Sequence, residues 1–238
     1  MSDITLGGPP PAPHVEEHHE HHPFLQHHFE DLGQQHEAST LGMWMFLSTE
    51  VLFFGGILAA YWVYRVMYPE AWAIGAAQQI WWLGAINTIV LIISSLTMAL
   101  AVRNAQMGRR MGTVFMLIAT LFFGTIFLGV KMYEYTKHWQ EGLFPGAAFT
   151  FRYPQNPALV PKIELFMTFY WCLTGLHALH MVIGAGLLLW FIWRAGKGHF
   201  GPEYYGPVEI MGLYWHFVDI VWIFLFPFLY LIHGAHHG

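Results

Sequence analysis

Five apolar stretches, each long enough to cross a bilayer, constrain this chain more than any other feature. They cover about residues 41–64, 80–102, 111–133, 164–193 and 210–232. A hydrocarbon core of about 30 Å is crossed by about 20 helical residues. Within it every backbone N–H and C=O must find its partner inside the same segment, which for separate runs of this length means helix. The expected fold is therefore an all-α membrane protein, a bundle of five transmembrane helices. Composition agrees. Of 238 residues only 11% are charged and 18% are aromatic, whereas soluble domains carry about 25% charged residues. Trp81 and Trp82 open the second segment as interfacial anchors. The fourth, Glu164 to Trp193, is longer than a span requires and should tilt or project. Its Gly175, Gly184 and Gly186 should allow close helix packing. Pro227 should kink or end the last helix, because it has no backbone donor.

The remaining chain divides simply. Residues 1–38 read as a solvated tail rich in His and Pro, helical from about Pro23 at the earliest; 39–233 form the transmembrane domain; 234–238 are a short His-containing tail. The histidines of the first tail could bind metal or buffer protons, but a low-complexity solvated segment without one fixed role is the expected reading. No basic stretch followed by an apolar core occurs in residues 1–40, so the first span is expected to be retained as a helix. Ten Lys and Arg against 15 Asp and Glu offer no electrostatic case for nucleic-acid binding. The single cysteine, Cys172, lies in an apolar run and is expected to be buried; alone it forms neither an intrachain disulfide nor a cysteine-only metal cluster. With the N-terminus inside, five basic residues face the cytoplasm and five, Lys131 among them, face outside. Short loops alone favour the N-terminus inside and the C-terminus outside.

Ionisable groups within spans are expensive and are candidates for function. Glu50 has Phe46, Leu47, Phe53 and Phe54 as its helical neighbours, so nothing on its own helix can pair with it. Either another helix supplies a partner or the group sits as the neutral acid. It reads as a reactive proton-linked or lipid-contacting carboxyl, or as a structural hydrogen-bonding one. His177 and His180, three apart, could share a metal, but no carboxylate at i+3 or i+4 completes a di-metal pattern. Hydrogen bonding between helices is the expected role. His216 and Asp219 lie at i and i+3 on one face and should neutralise one another as a structural pair. Asn87, Thr88, Ser94 and Ser95 should hydrogen-bond between helices, while Glu134 and Glu164 sit near helix ends. No nucleotide-binding loop and no nucleophile with a positioned base is visible.

The run LGMWMFLSTEVLFFGG (41–56) resembles the opening of the helical core of subunit III of the haem–copper respiratory oxidases. NTIVLIISS (87–95), GTIFLGVKMYEY (124–135), FYWCLTGLHALHMVIG (169–184) and YWHFVDIVWIFLF (214–226) resemble its later helices, in order. Lys131 departs from the family, which often has Gln there. The resemblance covers about residues 41–232 in the five-helix form.

The resemblance implies a non-catalytic subunit with no cofactor or metal of its own, beside subunits I and II and a small subunit IV. Haem and copper reside in the partners. It further implies bound phospholipid, support of stability and sustained proton uptake in a proton-pumping complex that reduces oxygen to water. A place in a respiratory supercomplex and in the bacterial inner membrane, N-terminus cytoplasmic, follows from the same likeness. The donor to such a complex is cytochrome c, with quinol as the alternative. The family's carbodiimide-reactive carboxyl falls on Glu50, and its intramembrane polar positions on Glu134, His177, His180, His216 and Asp219. A subunit-III-like protein associated with nitric oxide reductase shares these motifs. An independent proton or ion carrier is the reading from another class, although neither internal repeats nor paired helix breaks are present.

Overall fold

A computed structural model describes residues 29–231, so most of the His-rich tail and the C-terminal histidines lie outside the described residues. Helix α1 runs from Leu32 to Met67. It starts well before the apolar stretch, and the boundary expected at residue 38 falls inside it. The reason is local. Asp31 caps the helix by accepting from the Gln34 backbone N–H at 2.7 Å, and the polar run that follows forms helix although no hydropathy average marks it.

A short helix that the apolar pattern did not predict, α2 (Pro69–Ala77), follows at once. Pro69 suits the first turn, where its missing donor costs nothing. At nine residues α2 cannot span. It buries Trp72 beneath Tyr61 and Phe166, with ring centroids 5.9 and 5.8 Å away, and so closes the end of the bundle opposite the N-terminus. Three spans follow, α3 (Trp81–Gln106), α4 (Arg110–Gln140) and α5 (Val160–Gly196), and then α6 (Gly206–Tyr230). Five of the described helices are long and apolar enough to cross a membrane. The chain is a multi-pass membrane protein.

Helix α6 is the centre of the bundle. Of its most apolar stretch 56% is buried, against 11% for α1, which lies on the flank. Two indoles of α6 join it to α3: Trp222 donates to Thr88 at 3.1 Å, and Trp215 donates to Ser94 at 3.0 Å. Ser94 in turn donates to the Thr120 carbonyl of α4. The Trp215 ring fits between α4 and α5 because both helices carry glycine there. A Cβ on Gly124 or Gly184 would lie 2.9 or 3.0 Å from it. Of the three glycines expected to permit packing, only Gly184 does so; Gly175 and Gly186 face open space. Helix α6 also continues through Pro227 to Tyr230. The carbonyl of Phe228, left over in the last turn, takes a hydrogen bond from Tyr61. Cys172 is exposed on α5, not buried.

If the Trp215 slot governs assembly of the bundle, Gly124→Leu should lower stability by about 1–3 kcal/mol through overpacking. Gly186→Leu should leave it nearly unchanged. Thermal unfolding of the purified chain in detergent separates the two.

Candidate functional site

Glu50 finds its partner on another helix. Its Oε2 lies 3.2 Å from His180 Nε2 on α5, and both side chains are largely enclosed. His180 Nδ1 lies 2.8 Å from the Leu176 carbonyl oxygen, which can only accept, so Nδ1 carries a proton. Nε2 faces the Glu50 carboxyl, and the contact is an ion pair when the ring is protonated. The contact gives Glu50 a polar neighbour on another helix within a costly apolar setting. Tyr214 donates to the His180 carbonyl at 2.9 Å and ties α6 to the same point.

A second site lies toward the α2 end of the bundle, and its main residue was missed by the sequence reading. Lys131, counted above among the basic residues facing outside, is fully buried inside the bundle, 2.8 Å from Glu134 Oε2. Its three ammonium N–H groups meet three acceptors: Glu134, Tyr230 Oη at 2.8 Å and Tyr170 Oη at 3.2 Å. Tyr230 closes a ring by donating to Glu134 Oε1 at 2.8 Å. The rings of Tyr135, Tyr170 and Trp222 surround Nζ at 5.0 to 5.1 Å. One ion pair thus joins α4, α5 and α6. The signal for it was available: Lys131 and Glu134 stand at i and i+3 within an apolar helix.

Three sequence expectations are corrected. His177 makes no hydrogen bond among the described residues; it packs against Phe127 and Trp222, each ring centroid 5.3 Å away. His216 and Asp219 do not form an ion pair. His216 Nδ1 turns instead to Ser95 Oγ on α3 at 2.7 Å, and the Asp219 carboxyl, which makes no hydrogen bond of ordinary length, has the same Ser95 side chain as a polar neighbour. The i, i+3 spacing brings the two side chains to one face but does not aim them at each other, and the nearer hydroxyl wins. Asn87 is likewise buried without a hydrogen-bond partner, whereas Thr88, Ser94 and Ser95 bond between helices as expected. Glu164 accepts from the Gly146 N–H and holds the long loop before α5. No three His, Cys, Asp or Glu side chains gather as a metal site among the described residues.

Residues 26–234 match the family described as cytochrome c oxidase subunit III. The chain belongs to that family. It is 32% identical over 207 residues to a cytochrome c oxidase subunit 3 from Thermostichus vulcanus, covering 85% of this chain and 92% of the relative. It is 28% identical to a quinol oxidase subunit 3 from Bacillus spizizenii, over 81% of this chain and 86% of that one. A heme-copper oxidase subunit I+III from Aeropyrum pernix is 31% identical over 80% of this chain, which spans 22% of that longer protein. Every polar position that the subunit III resemblance singles out lies on one of the four helices α1, α4, α5 and α6.

Two outcomes follow from these pairs. Lys131→Met or Glu134→Leu alone should destabilise the bundle by about 3–5 kcal/mol, because each strands a buried charge. The double change Lys131→Met with Glu134→Leu should recover most of that loss, read as detergent unfolding free energies in a double-mutant cycle. Glu50→Gln should preserve folding, since the amide can donate to His180 Nε2, and should abolish carbodiimide labelling of α1. Undiminished labelling of α1 would assign the reactivity to another carboxyl.

Proposed function

We propose that this chain is an accessory subunit, with no redox centre of its own, of a haem–copper terminal oxidase that reduces oxygen to water. The observation that carries the reading is the membership of the subunit III family together with the use this chain makes of its ionisable residues. Glu50 meets His180 on another helix, and the Lys131–Glu134 ion pair is tied to α5 and α6 through Tyr170 and Tyr230. Neither is open to a substrate as a transport site would be. The haem and copper then belong to subunit I and its partners; the Aeropyrum pernix relative, named as subunit I+III, supports subunit I as the direct neighbour. Subunit II and a small subunit IV complete the complex.

Within it this chain stabilises the assembly and sustains proton uptake in a proton-pumping enzyme. A cleft of about 570 Å³ supports bound phospholipid. It is lined by apolar side chains such as Met43, Trp190 and Met211, with His36 among its polar lining residues. Cytochrome c is the donor that the Thermostichus relative's name supports; the Bacillus relative's name supports quinol. Basic residues favour a cytoplasmic N-terminus. With Lys131 inside the bundle, Arg103, Arg109, Arg110, Arg194 and Lys197 flank the N-terminal side against Arg65, Lys137, Arg152 and Lys162 on the other. A bacterial inner membrane fits this arrangement.

Purification of the tagged chain in mild detergent should bring down a haem-containing partner, seen in reduced-minus-oxidised spectra. A pure chain without haem, above all one that moves protons alone in liposomes, would overturn the proposal in favour of an independent carrier.

A further inference from the structure

The cleft of about 570 Å³ at the N-terminal end of the bundle has two unlike parts. Its depth is apolar, with Met43, Leu187, Phe191 and Met211 in its lining, and suits acyl chains. Its rim does not. There the first turns of α1 meet the first turn of α6, and His36 Nε2, in the lining, comes to 3.6 Å from Glu209 Oε2. Glu203, in the loop before α6, lines the same cleft, and among the described residues no Lys or Arg does. The Glu209 side chain is 39% exposed, which leaves its carboxylate room for a further donor. A lipid phosphate at this rim would meet two carboxylates, with one imidazole to offset them.

The chain itself runs into this rim. Leu32, the first residue of α1, is part of the lining. Just before it the backbone bends at Glu30 and Asp31, and Phe29 is half-buried. Upstream stands HHPFLQHH, residues 21–28, which has four histidines, Phe24 and Leu25, and no acid. A histidine carries at least one ring N–H donor whether neutral or protonated, so this segment offers donors to carboxylates and apolar side chains to the wall beneath them. It is also long enough. Phe24 precedes Leu32 by eight residues and reaches up to about 26 Å from it, at about 3.3 Å per extended residue. The α6 wall of the cleft, Gly206 to Tyr214, rises only about 12 Å, at 1.5 Å per residue.

We propose that residues 21–28 turn back across the rim of this cleft, with Phe24 and Leu25 against its apolar wall and histidine N–H groups on Glu203 and Glu209. The segment takes the place that a lipid headgroup would otherwise hold there, above the apolar depth. This contact lies within one chain and goes beyond the accessory-subunit reading, on which it does not depend.

An aromatic photo-crosslinking residue placed singly at Phe24 or Leu25 of the full chain, in lipid nanodiscs, tests it, with one at Ile4 as the control. Mass spectrometry should map adducts from both positions to residues 203–214 of the same chain, and none there from the control. In a second arm Glu203→Ala combined with Glu209→Ala should lower that yield about tenfold, as expected for losing a hydrogen bond to a charged acceptor. The first arm needs no change at the rim, so it stands even if the double variant fails to fold. Adducts confined to lipid or to another chain, or no adducts at all, would overturn the docking, as would a folded double variant with an undiminished yield. Haem recovered with the wild-type chain reports separately on the accessory-subunit reading and is untouched by any of these results.

Discussion

The cost of an unpartnered polar group in hydrocarbon shapes this protein more than any other term. Apolar side chains gain little by leaving lipid for one another, so helices in a membrane are held by close packing and by polar contacts that lipid cannot supply. Here those contacts converge on α6. Its Trp215 and Trp222 reach hydroxyls of α3, and its Tyr230 closes the Lys131–Glu134 ring that joins α4 and α5. Its Tyr214 supports His180, which holds Glu50 of α1. A helix that is mostly buried is the natural hub for such contacts, since its side chains are the ones that have no lipid to face.

The two ion pairs solve one electrostatic problem in different ways. Lys131 and Glu134 lie on one helix, enclosed by aromatic rings, with every ammonium N–H used. Glu50 and His180 lie on two helices, with the carboxyl 3.2 Å from the ring nitrogen. The first pair is a fixed structural joint. The second joins two helices through one carboxyl and one imidazole.

How much of this could be read in the sequence follows from the physics of each signal. The spans were legible because hydropathy over about 20 residues is a strong average. The same averaging hid the polar first turns of α1 and the whole of α2, whose nine residues are set by Pro69 and by the burial of Trp72. Glu50 was legible as a residue in need of a partner on another helix, but a periodicity on α1 says nothing about which residue of α5 faces it. Lys131 was misplaced because a charge near the end of an apolar run looks like an anchor; only the three-dimensional meeting of Tyr170 and Tyr230 shows that it points inward. The His216–Asp219 spacing was read correctly as one face and wrongly as one pair, since Ser95 belongs to a helix 121 positions away in the chain.

The account's central claim is that Glu50–His180 and Lys131–Glu134 serve this chain's own joints, while its neighbour carries the redox chemistry. A structure of the chain purified with its partners in a lipid nanodisc tests that most directly. It should show Glu50 on His180 and Lys131 on Glu134, all within this chain, with the haems confined to the adjoining subunit. Glu50 or Lys131 reaching out of the bundle to a neighbour's side chain or cofactor would contradict it.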